Sequence, residues 1–206
     1  MKRYIEKIRE LPFVSIALVS ANVIVFLICS MTKDVLYDAG CCGIFETVMK
    51  QEYWRIFTAT FLHVDLEHLF NNMLLLGFMG AMLEKIIGHL PFTVVYVLSG
   101  IAGNVLSLCV KWYQNDWAVS LGASGAVFGL DGLLLAIVLI LQDRVQDIPL
   151  SRVVIMIALS LYSGFSSSNV DNAGHVGGLI AGFLVSALIC MVKRWKGTKE
   201  RSKYEY

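Results

Sequence analysis

The sequence predicts an all-α membrane protein, a bundle of six transmembrane helices. Two observations support this fold class. Hydrophobic residues make up 57% of the 206 residues and charged residues only 16%, with a mean hydropathy of +0.68. The apolar residues also form six long, continuous runs. Because lipid leaves backbone polar groups unsatisfied, such runs must be helices or barrel strands, and they lack the alternating pattern of barrel strands.

The six runs give the bounds of the predicted spans. These are about 13–31, 66–87, 91–110, 121–141, 151–166 and 174–192. A helix needs ~20 apolar residues to cross a bilayer, and most of the runs approach that length. The first run is too long for the core of a signal peptide and has no good cleavage site, which favours an uncleaved span. The whole chain, 1–206, is therefore predicted to be one domain with short tails at 1–11 and 194–206.

Positive charges predict the orientation of the bundle. With the N-terminus in the cytoplasm, 13 of the 17 lysines and arginines lie on the cytoplasmic side, and Lys33, Lys50, Arg55 and Lys111 remain outside. Lysine and arginine are retained in the cytoplasm, so both termini are predicted to face the cytoplasm, in a multi-pass protein of the plasma or inner membrane. No basic stripe with interleaved aromatic residues is present, and no nucleic-acid partner is expected.

The connection between the first two spans, residues 32–65, is much longer than the others. Its aromatic residues suit a segment in the membrane interface on the external side, folded against the bundle. They are Tyr37, Phe45, Tyr53, Trp54, Phe57 and Phe61. Cys41 and Cys42 are adjacent in this loop, where free thiols and lipidation are both open, and no role is assigned to them. The other three cysteines fall within spans and are interpreted as small packing residues.

Ser124 stands out because it lies near the start of the fourth span with small residues on both sides, in Gly122-Ala123-Ser124-Gly125. A serine hydroxyl becomes a useful nucleophile when a base and an oxyanion site are close to it. The motif is not the nucleophile elbow of α/β-hydrolases, since Ala126 replaces its second glycine and no strand precedes it. The alternative is a serine in a small-residue helix contact, of which Gly125-xxx-Gly129 is an example.

His175 is the candidate base. It opens the sixth span at the same predicted end as Ser124, so that the two lie at similar depth. Gly178-xxx-Gly182 would let this helix approach the small residues of the fourth span closely enough for a Ser–His hydrogen bond. Histidine is rare and costly within membrane spans and usually serves a function there. A helix-capping or structural imidazole is the alternative.

His68 and Asn72 are candidates for an oxyanion site. They are four residues apart near the start of the second span and so share one helix face. With the backbone N–H of Ser124 at a helix start, they would supply three donors to an oxyanion. A metal site on His63, Glu67 and His68 is the alternative, but the spacing is not His-Glu-x-x-His and a third ligand set is lacking. We therefore expect no metal and no cofactor.

Four motifs in this order resemble the rhomboid family of intramembrane serine proteases, and the resemblance covers nearly the whole chain. They are Trp54-Arg55, His-Leu-Phe-x-Asn at 68–72, Gly-Ala-Ser-Gly-Ala-x-Phe-Gly at 122–129 and Gly-His-x-x-Gly-Leu-x-x-Gly at 174–182. The resemblance implies a six-helix core with a catalytic dyad instead of a triad.

Carried over residue by residue, the resemblance makes Ser124 the nucleophile and His175 the general base. It implies that His68, Asn72 and the Ser124 amide hold the oxyanion. It also implies supporting roles for four glycines and one aromatic residue around the site, Gly122, Gly125, Gly178, Gly182 and Phe128. The Phe128 ring would stack on the catalytic imidazole. Trp54, Arg55 and Glu84 match positions that are structural in the family.

Asp131 departs from the family pattern, which has a small or apolar residue at this position. It lies on the same helix face as Ser124 but about 10 Å below it, since a helix rises 1.5 Å per residue, and this depth argues against catalysis. A buried carboxyl is costly in a membrane. Asp131 is interpreted as hydrogen bonded to a neighbour such as Asn104, or as tuning the site.

The expected partners are the lipid bilayer and single-span transmembrane proteins as substrates. The substrate helix must unwind, which favours helix-weakening residues near the cut, and residues 165–169 are interpreted as a flexible cap over the pocket. The alternative is a non-proteolytic rhomboid-like protein that binds membrane clients or serves quality control, although such relatives typically lack the serine or the histidine. The sequence does not determine the oligomeric state or the natural substrate.

Overall fold

The computed structural model describes residues 11–32, 35–142, 145, 147–166 and 170–202, except for the side chains of 196–202. The helices in these ranges are α1 (Phe13–Met31), α2 (Val35–Gly40), α3 (Arg55–Thr58), α4 (Leu66–Ile87), α5 (His89–Gln114), α6 (Ser124–Ile140), α7 (Leu150–Phe165) and α8 (Asn172–Ser202). A π-helical turn at Ile44–Met49 and a 3-10 turn at Ala59–Phe61 complete the connection from α1 to α4. Residues 1–10, 167–169 and 203–206, which belong to the predicted tails and cap, lie outside the described residues.

Four of the described helices are long and apolar enough to cross a membrane: α1, α4, α5 and the Asn172–Trp195 part of α8. The bounds of α1 and α4 agree with the predicted spans. Helices α6 and α7 are apolar but shorter, with 17 and 16 residues. Helix α8 continues to Ser202, so most of the stretch predicted as a tail is helical. The protein is an all-helical, multi-pass membrane protein.

Helix α6 lies at the centre of the bundle. Most of its residues are shielded from the surroundings, and its most extensive contacts are with α8 and then with α5. Its buried side chains include Leu130, Leu133 and Ile137, each with no exposed surface. A helix that is apolar on all sides is expected in such a position, because it has no face that must meet water.

Glycines bring the backbones of α6 and α8 into direct contact. A Cβ atom on Gly178 would collide with the carbonyl oxygen of Gly125, and one on Gly182 would collide with the backbone of Gly129. The two glycine pairs face each other as their spacing indicates. Small residues permit this approach, which membrane helices need because lipid provides little hydrophobic force between them.

Glu84 fastens the start of α1 to the end of α4. Its side chain has no exposed surface, and its carboxylate accepts hydrogen bonds from the Val14 amide at 2.9 Å, the Ser15 amide at 2.8 Å and the Ser15 hydroxyl at 2.7 Å. His89 Nδ1 lies 2.5 Å from the same carboxylate. The first amides of a helix lack partners within it, so a carboxylate here satisfies them. Its negative charge is also stabilised by the positive end of the helix dipole.

Arg55 organises the connection between α1 and α4. The buried guanidinium donates to the backbone carbonyls of Asp38 at 2.7 Å and Cys41 at 3.2 Å, and pairs with Glu52. Trp54, which the resemblance also marks as structural, is 57% exposed.

Cys41 and Cys42 are buried free thiols. Burial raises the pKa of the Cys42 thiol to about 11 and also raises the pKa of the Cys41 thiol. Of the two possibilities left open by the sequence, this geometry favours free thiols over lipidation.

Replacing Gly178 with alanine should destabilise the protein. The new Cβ would meet the Gly125 carbonyl, and forced overpacking costs about 1–3 kcal/mol. Gly77→Ala is the control, because a Cβ on Gly77 meets nothing within 4 Å. Thermal unfolding in detergent should show a lower midpoint for Gly178→Ala alone. Equal midpoints in both variants would contradict close α6–α8 packing.

The two loop thiols should resist alkylation in the folded protein. The thiolate is the reactive form, and burial combined with a raised pKa keeps both groups protonated at pH 7.5. Peptide mass spectrometry after iodoacetamide treatment should find Cys41 and Cys42 modified only after denaturation. An Ala118→Cys variant, with the new thiol in an exposed loop position, serves as the reactive control. Modification of Cys42 at the rate of the control would disprove its burial.

Candidate functional site

The start of α4 positions His68. Asp65 caps the helix, and its Oδ1 accepts a hydrogen bond from the His68 amide at 2.7 Å. One turn later, Asn72 is buried and donates from Nδ2 to the His68 carbonyl at 3.1 Å. An amide carries two N–H donors, so this bond leaves one of them for another partner. Both side chains therefore lie on one face at the end of the bundle where α4, α6 and α8 begin, which we call the site end.

Gly122 forms the turn into α6. Its φ of +129° is a conformation that side chains disfavour, and its amide donates to the Ala59 carbonyl at 2.9 Å. A Cβ at this position would lie 2.7 Å from Cε1 and 2.9 Å from Nε2 of His68. Only glycine therefore meets both requirements, the backbone conformation and the close approach of the His68 ring.

Ser124 is the first residue of α6 and is half-buried. The Cβ position on Gly122 that lies beside His68 is also 3.7 Å from Ser124 Oγ, so the imidazole and the hydroxyl flank the same glycine. Ala123 precedes the helix without a side-chain cap. The first amides of a helix have no partner within it and form its positive end, so the start of α6 offers backbone donors in the turn that carries the hydroxyl.

His175 lies in the first turn of α8, opposite the first turns of α6. Its buried ring stacks on Phe128, with centroids 4.2 Å apart and an angle of 16° between the planes. The Gly174 carbonyl oxygen approaches to 3.3 Å from the Cβ position of Gly125. The structure thus brings His175 to the α6 turn that follows Ser124.

No hydrogen bond joins Ser124 to His175 in the part of the chain that the structure describes. His175 Nδ1 is buried there without a hydrogen-bond partner, carboxylates included.

Asp131 is buried in α6. The suggested bond from Asn104 to Asp131 is wrong, because Asn104 Nδ2 points to the α1–α4 connection and donates to the Ile56 carbonyl at 2.8 Å.

His63 is a fully buried neighbour of the site. Its ring packs edge to face against His68 with centroids 5.0 Å apart, and both of its nitrogens lack partners within the described residues. Burial, with a smaller contribution from His68, lowers the pKa of His63 to about 4, so the ring is neutral at physiological pH. Within the described ranges, no group of three or more His, Cys, Asp or Glu side chains is arranged to hold a metal ion.

Sequence reasoning missed a polar cluster beside the site. It comprises Ser107 and Lys111 on α5, Ser120 in the loop before α6, and Asp171 directly before α8. Asp171 caps α8, since its Oδ1 accepts from the Gly174 amide at 3.0 Å. An aspartate directly before an apolar run is a recognised N-cap signal, so this residue could have been singled out. Its partners are far away in the sequence and carry no such signal.

Comparison with known proteins identifies the family. A family model for the Rhomboid domain matches residues 50–192, which include all the residues of the site. The chain belongs to the rhomboid family. This result confirms the resemblance inferred from the four motifs.

Rhomboid relatives occur in bacteria and plants. The chain is 35% identical over 146 residues to Rhomboid protease GluP of Bacillus subtilis, which is 71% of this chain and 28% of GluP. It is 34% identical over 159 residues to RHOMBOID-like protein 7 of Arabidopsis thaliana, 77% of this chain and 50% of that protein. The chain thus spans half or less of these two rhomboid relatives. A second Bacillus subtilis relative, YdcA, is 32% identical over 160 residues, with 78% of each chain aligned.

Proposed function

We propose that this rhomboid is a serine protease that cleaves transmembrane segments with a Ser124–His175 dyad. The observation that carries the proposal is the meeting of three functional groups at the site end. The Ser124 hydroxyl and the His68 ring flank Gly122, and His175 stacks on Phe128 one turn below the serine. The relatives named rhomboid proteases support the same class of reaction.

In the proposed reaction, His175 removes the proton of the Ser124 hydroxyl as Oγ attacks the carbonyl carbon of the scissile peptide bond. The carbonyl oxygen becomes an oxyanion, and the resulting imidazolium then protonates the leaving amine as the C–N bond breaks. Water then attacks the acyl carbon as His175 takes its proton, and the imidazolium returns this proton to Ser124 Oγ as the ester bond breaks, which releases the carboxylic acid product. Nδ1 of His175 has no carboxylate partner in the described chain, so the proposed scheme assigns no third catalytic residue.

The dyad requires a Ser124–His175 hydrogen bond that is not formed in this conformation. Catalytic hydrogen bonds are often long or poorly aligned without substrate and tighten when it binds. The close backbone contact of Gly125 with Gly174 and Gly178 keeps the two side chains on neighbouring turns. We expect closing the bond to require local adjustment of the two side chains and no rearrangement of the helices.

Three donors are proposed for the oxyanion: the Ser124 amide, the His68 ring and the second N–H of Asn72. The amide begins α6 and has no partner within the helix. Donors that are already in position stabilise the negative charge that develops on the carbonyl oxygen in the transition state, and this stabilisation raises the rate. Gly122 supports this arrangement by admitting the His68 ring.

The proposed topology has six spans, with both termini in the cytoplasm and the site near the external surface of the plasma or inner membrane. Helices α6 and α7 would be about 26 and 24 Å long at 1.5 Å per residue, somewhat less than the bilayer core of ~30 Å. Helix α6 is enclosed by protein, so it need not reach either lipid surface. Its short length would leave a recess above Ser124 for the water that hydrolysis consumes. The single domain is proposed to extend over 1–206, with the lipid bilayer around its outer helices.

The proposed substrates are single-span membrane proteins whose helices unwind easily near the cut, since a carbonyl within an intact helix is engaged in a backbone hydrogen bond. The second candidate is a rhomboid that binds membrane clients without cutting them. Both Ser124 and His175 are present and lie at one end of the bundle, which favours the protease.

The dyad predicts that Ser124→Ala and His175→Ala each lower cleavage of a reconstituted fluorescent transmembrane substrate by about 10³-fold or more. A fluorophosphonate probe should label the wild type and neither variant, because labelling requires an activated serine. Ser30→Ala removes an exposed serine that bonds only within α1, and it should behave like the wild type. Equal cleavage by the wild type and Ser124→Ala would contradict the dyad.

The oxyanion site predicts different outcomes for two adjacent asparagines. Asn72→Ala should lower kcat by about 10²-fold with little change in KM, since removing one oxyanion donor has an effect of this size. Asn71 is exposed on another face of α4, and Asn71→Ala should leave kcat unchanged. Steady-state kinetics in proteoliposomes decides the matter. An Asn72→Ala enzyme with a normal kcat would remove this residue from the proposed site.

A further inference from the structure

Four polar side chains at the site end form one connected network, which we call the polar clasp: Ser107, Lys111, Ser120 and Asp171. The Ser107 and Ser120 hydroxyls are 2.8 Å apart, and Ser107 Oγ donates to Asp171 Oδ2 at 2.5 Å. Lys111 Nζ donates to Ser120 Oγ at 2.6 Å and to the Ala118 carbonyl at 3.1 Å. The clasp therefore links α5, the loop before α6 and the turn before α8.

The clasp is buried at its centre and balanced in charge. Ser107 and Ser120 have 0% and 4% of their surface exposed, and Asp171 and Lys111 are half-buried. Burial raises the pKa of Asp171. Hydrogen bonds from Ser107, Ser120 and the Gly174 amide, together with the charge of Lys111, lower it by more than burial raises it, so the pKa of Asp171 lies below its ordinary value. Asp171 is therefore ionised at physiological pH and binds its partners as a carboxylate.

One arm of the clasp holds the segment that carries Ser124. Ser120 lies four residues before the serine, and its backbone pairs with Cys42 in both directions, donating at 2.7 Å and accepting at 2.9 Å. Two residues later, the Gly122 amide is fixed to Ala59. Only Ala123 separates this anchored stretch, residues 120–122, from the start of α6 at Ser124.

The other arm holds the segment that carries His175. Asp171 lies four residues before the histidine, and its backbone carbonyl accepts the His175 amide at 3.1 Å. Its Oδ1 accepts the Gly174 amide. Through Ser107, the same carboxylate is joined to Ser120 in the other arm. The clasp thus connects Ser120 with Asp171. Each lies four residues before a proposed catalytic residue, Ser124 or His175.

Building on the proposed function, we propose that Asp171, with Ser107, Ser120 and Lys111, is a positioning device that sets the separation between Ser124 and His175. These residues act through the backbone of the two segments and do not touch the reacting atoms. Small displacements of reacting groups have large effects, about 10²-fold for a shift of 1 Å. The clasp therefore controls the rate of the chemical step and leaves substrate binding largely unaffected.

The test compares aspartates at the same end of the bundle. Asp171→Ala breaks the clasp, and the control Asp116→Ala removes an exposed carboxylate that accepts only the local Ala118 amide at 2.9 Å. The unfolding midpoint of each full-length variant is measured first. The fluorophosphonate labelling rate, kcat and KM are then measured in proteoliposomes at a temperature below that midpoint. We expect Asp171→Ala to reduce the labelling rate and kcat by about 10- to 100-fold at unchanged KM. The control should match the wild type.

Two further variants keep the proposal testable if Asp171→Ala folds poorly. Asp171→Asn retains an acceptor for the Gly174 amide but loses the charge opposite Lys111, and it should lie between the wild type and Asp171→Ala. Ser120→Ala interrupts the same link from the other arm. Both substitutions break the same connection. The double variant Asp171→Asn with Ser120→Ala should therefore lose less kcat than the product of the two single reductions.

The outcomes separate this proposal from the proposed function. If Asp171→Ala and Asp171→Asn lower the unfolding midpoint but keep the wild-type kcat and labelling rate, the clasp is merely structural and the proposal is overturned. A labelled, active wild type with strictly independent effects of Asp171→Asn and Ser120→Ala also overturns it. A wild type that is neither labelled nor active contradicts the proposed function itself, and the clasp proposal with it.

Discussion

The backbone contact between α6 and α8 is the constraint on which the site depends. Gly125 and Gly129 on one helix meet Gly178 and Gly182 on the other, and a single added methyl group on α8 would strike the α6 backbone. In a bilayer, helices associate through close packing and hydrogen bonds because the lipid is as apolar as their side chains. The same contact that stabilises the bundle therefore places the starts of α6 and α8 side by side.

Polar groups at the two ends of the bundle complement this apolar centre. At one end Glu84 satisfies the Val14 and Ser15 amides in the first turn of α1, and at the site end Asp171 satisfies the Gly174 amide in the first turn of α8. Unsatisfied buried polar groups are costly, so each carboxylate is surrounded by donors. Exceptions beside the site include the ring nitrogens of His63, Nδ1 of His175 and Oδ1 of Asn172, which are buried without partners in the described chain. A buried polar atom without a protein partner calls for a specific explanation, such as a catalytic role or a bound water.

The surroundings of His175 bear on how a protease could work without a third residue. In a triad, a carboxylate holds the imidazole in position and in the correct tautomer. Here the ring is stacked on Phe128, and the His175 amide is held by the Asp171 carbonyl, while Nδ1 of the ring has no hydrogen-bond partner in the described chain. Under the proposed function, aromatic stacking and helix capping would supply the orientation that a triad obtains from its acid.

The sequence by itself determined the solvent, the helical class and the family, because continuous apolar runs and closely spaced motifs are local properties. It also predicted the bounds of α1 and α4. It was less accurate where local backbone geometry decides a boundary. Helix α6 begins at Ser124 because Gly122 has a positive φ, and α5 begins at His89 because Pro91 is tolerated in a first turn.

Only the tertiary structure decided which distant polar groups meet. Asn104 was assigned to the wrong partner, since nothing in the sequence shows that its face of α5 turns to the α1–α4 connection. Ser107 and Asp171 are 64 residues apart, and a hydroxyl on an apolar helix carries no signal of a partner at that distance. Periodicity reveals which face of a helix is apolar, whereas the pairing of individual side chains depends on how the helices pack.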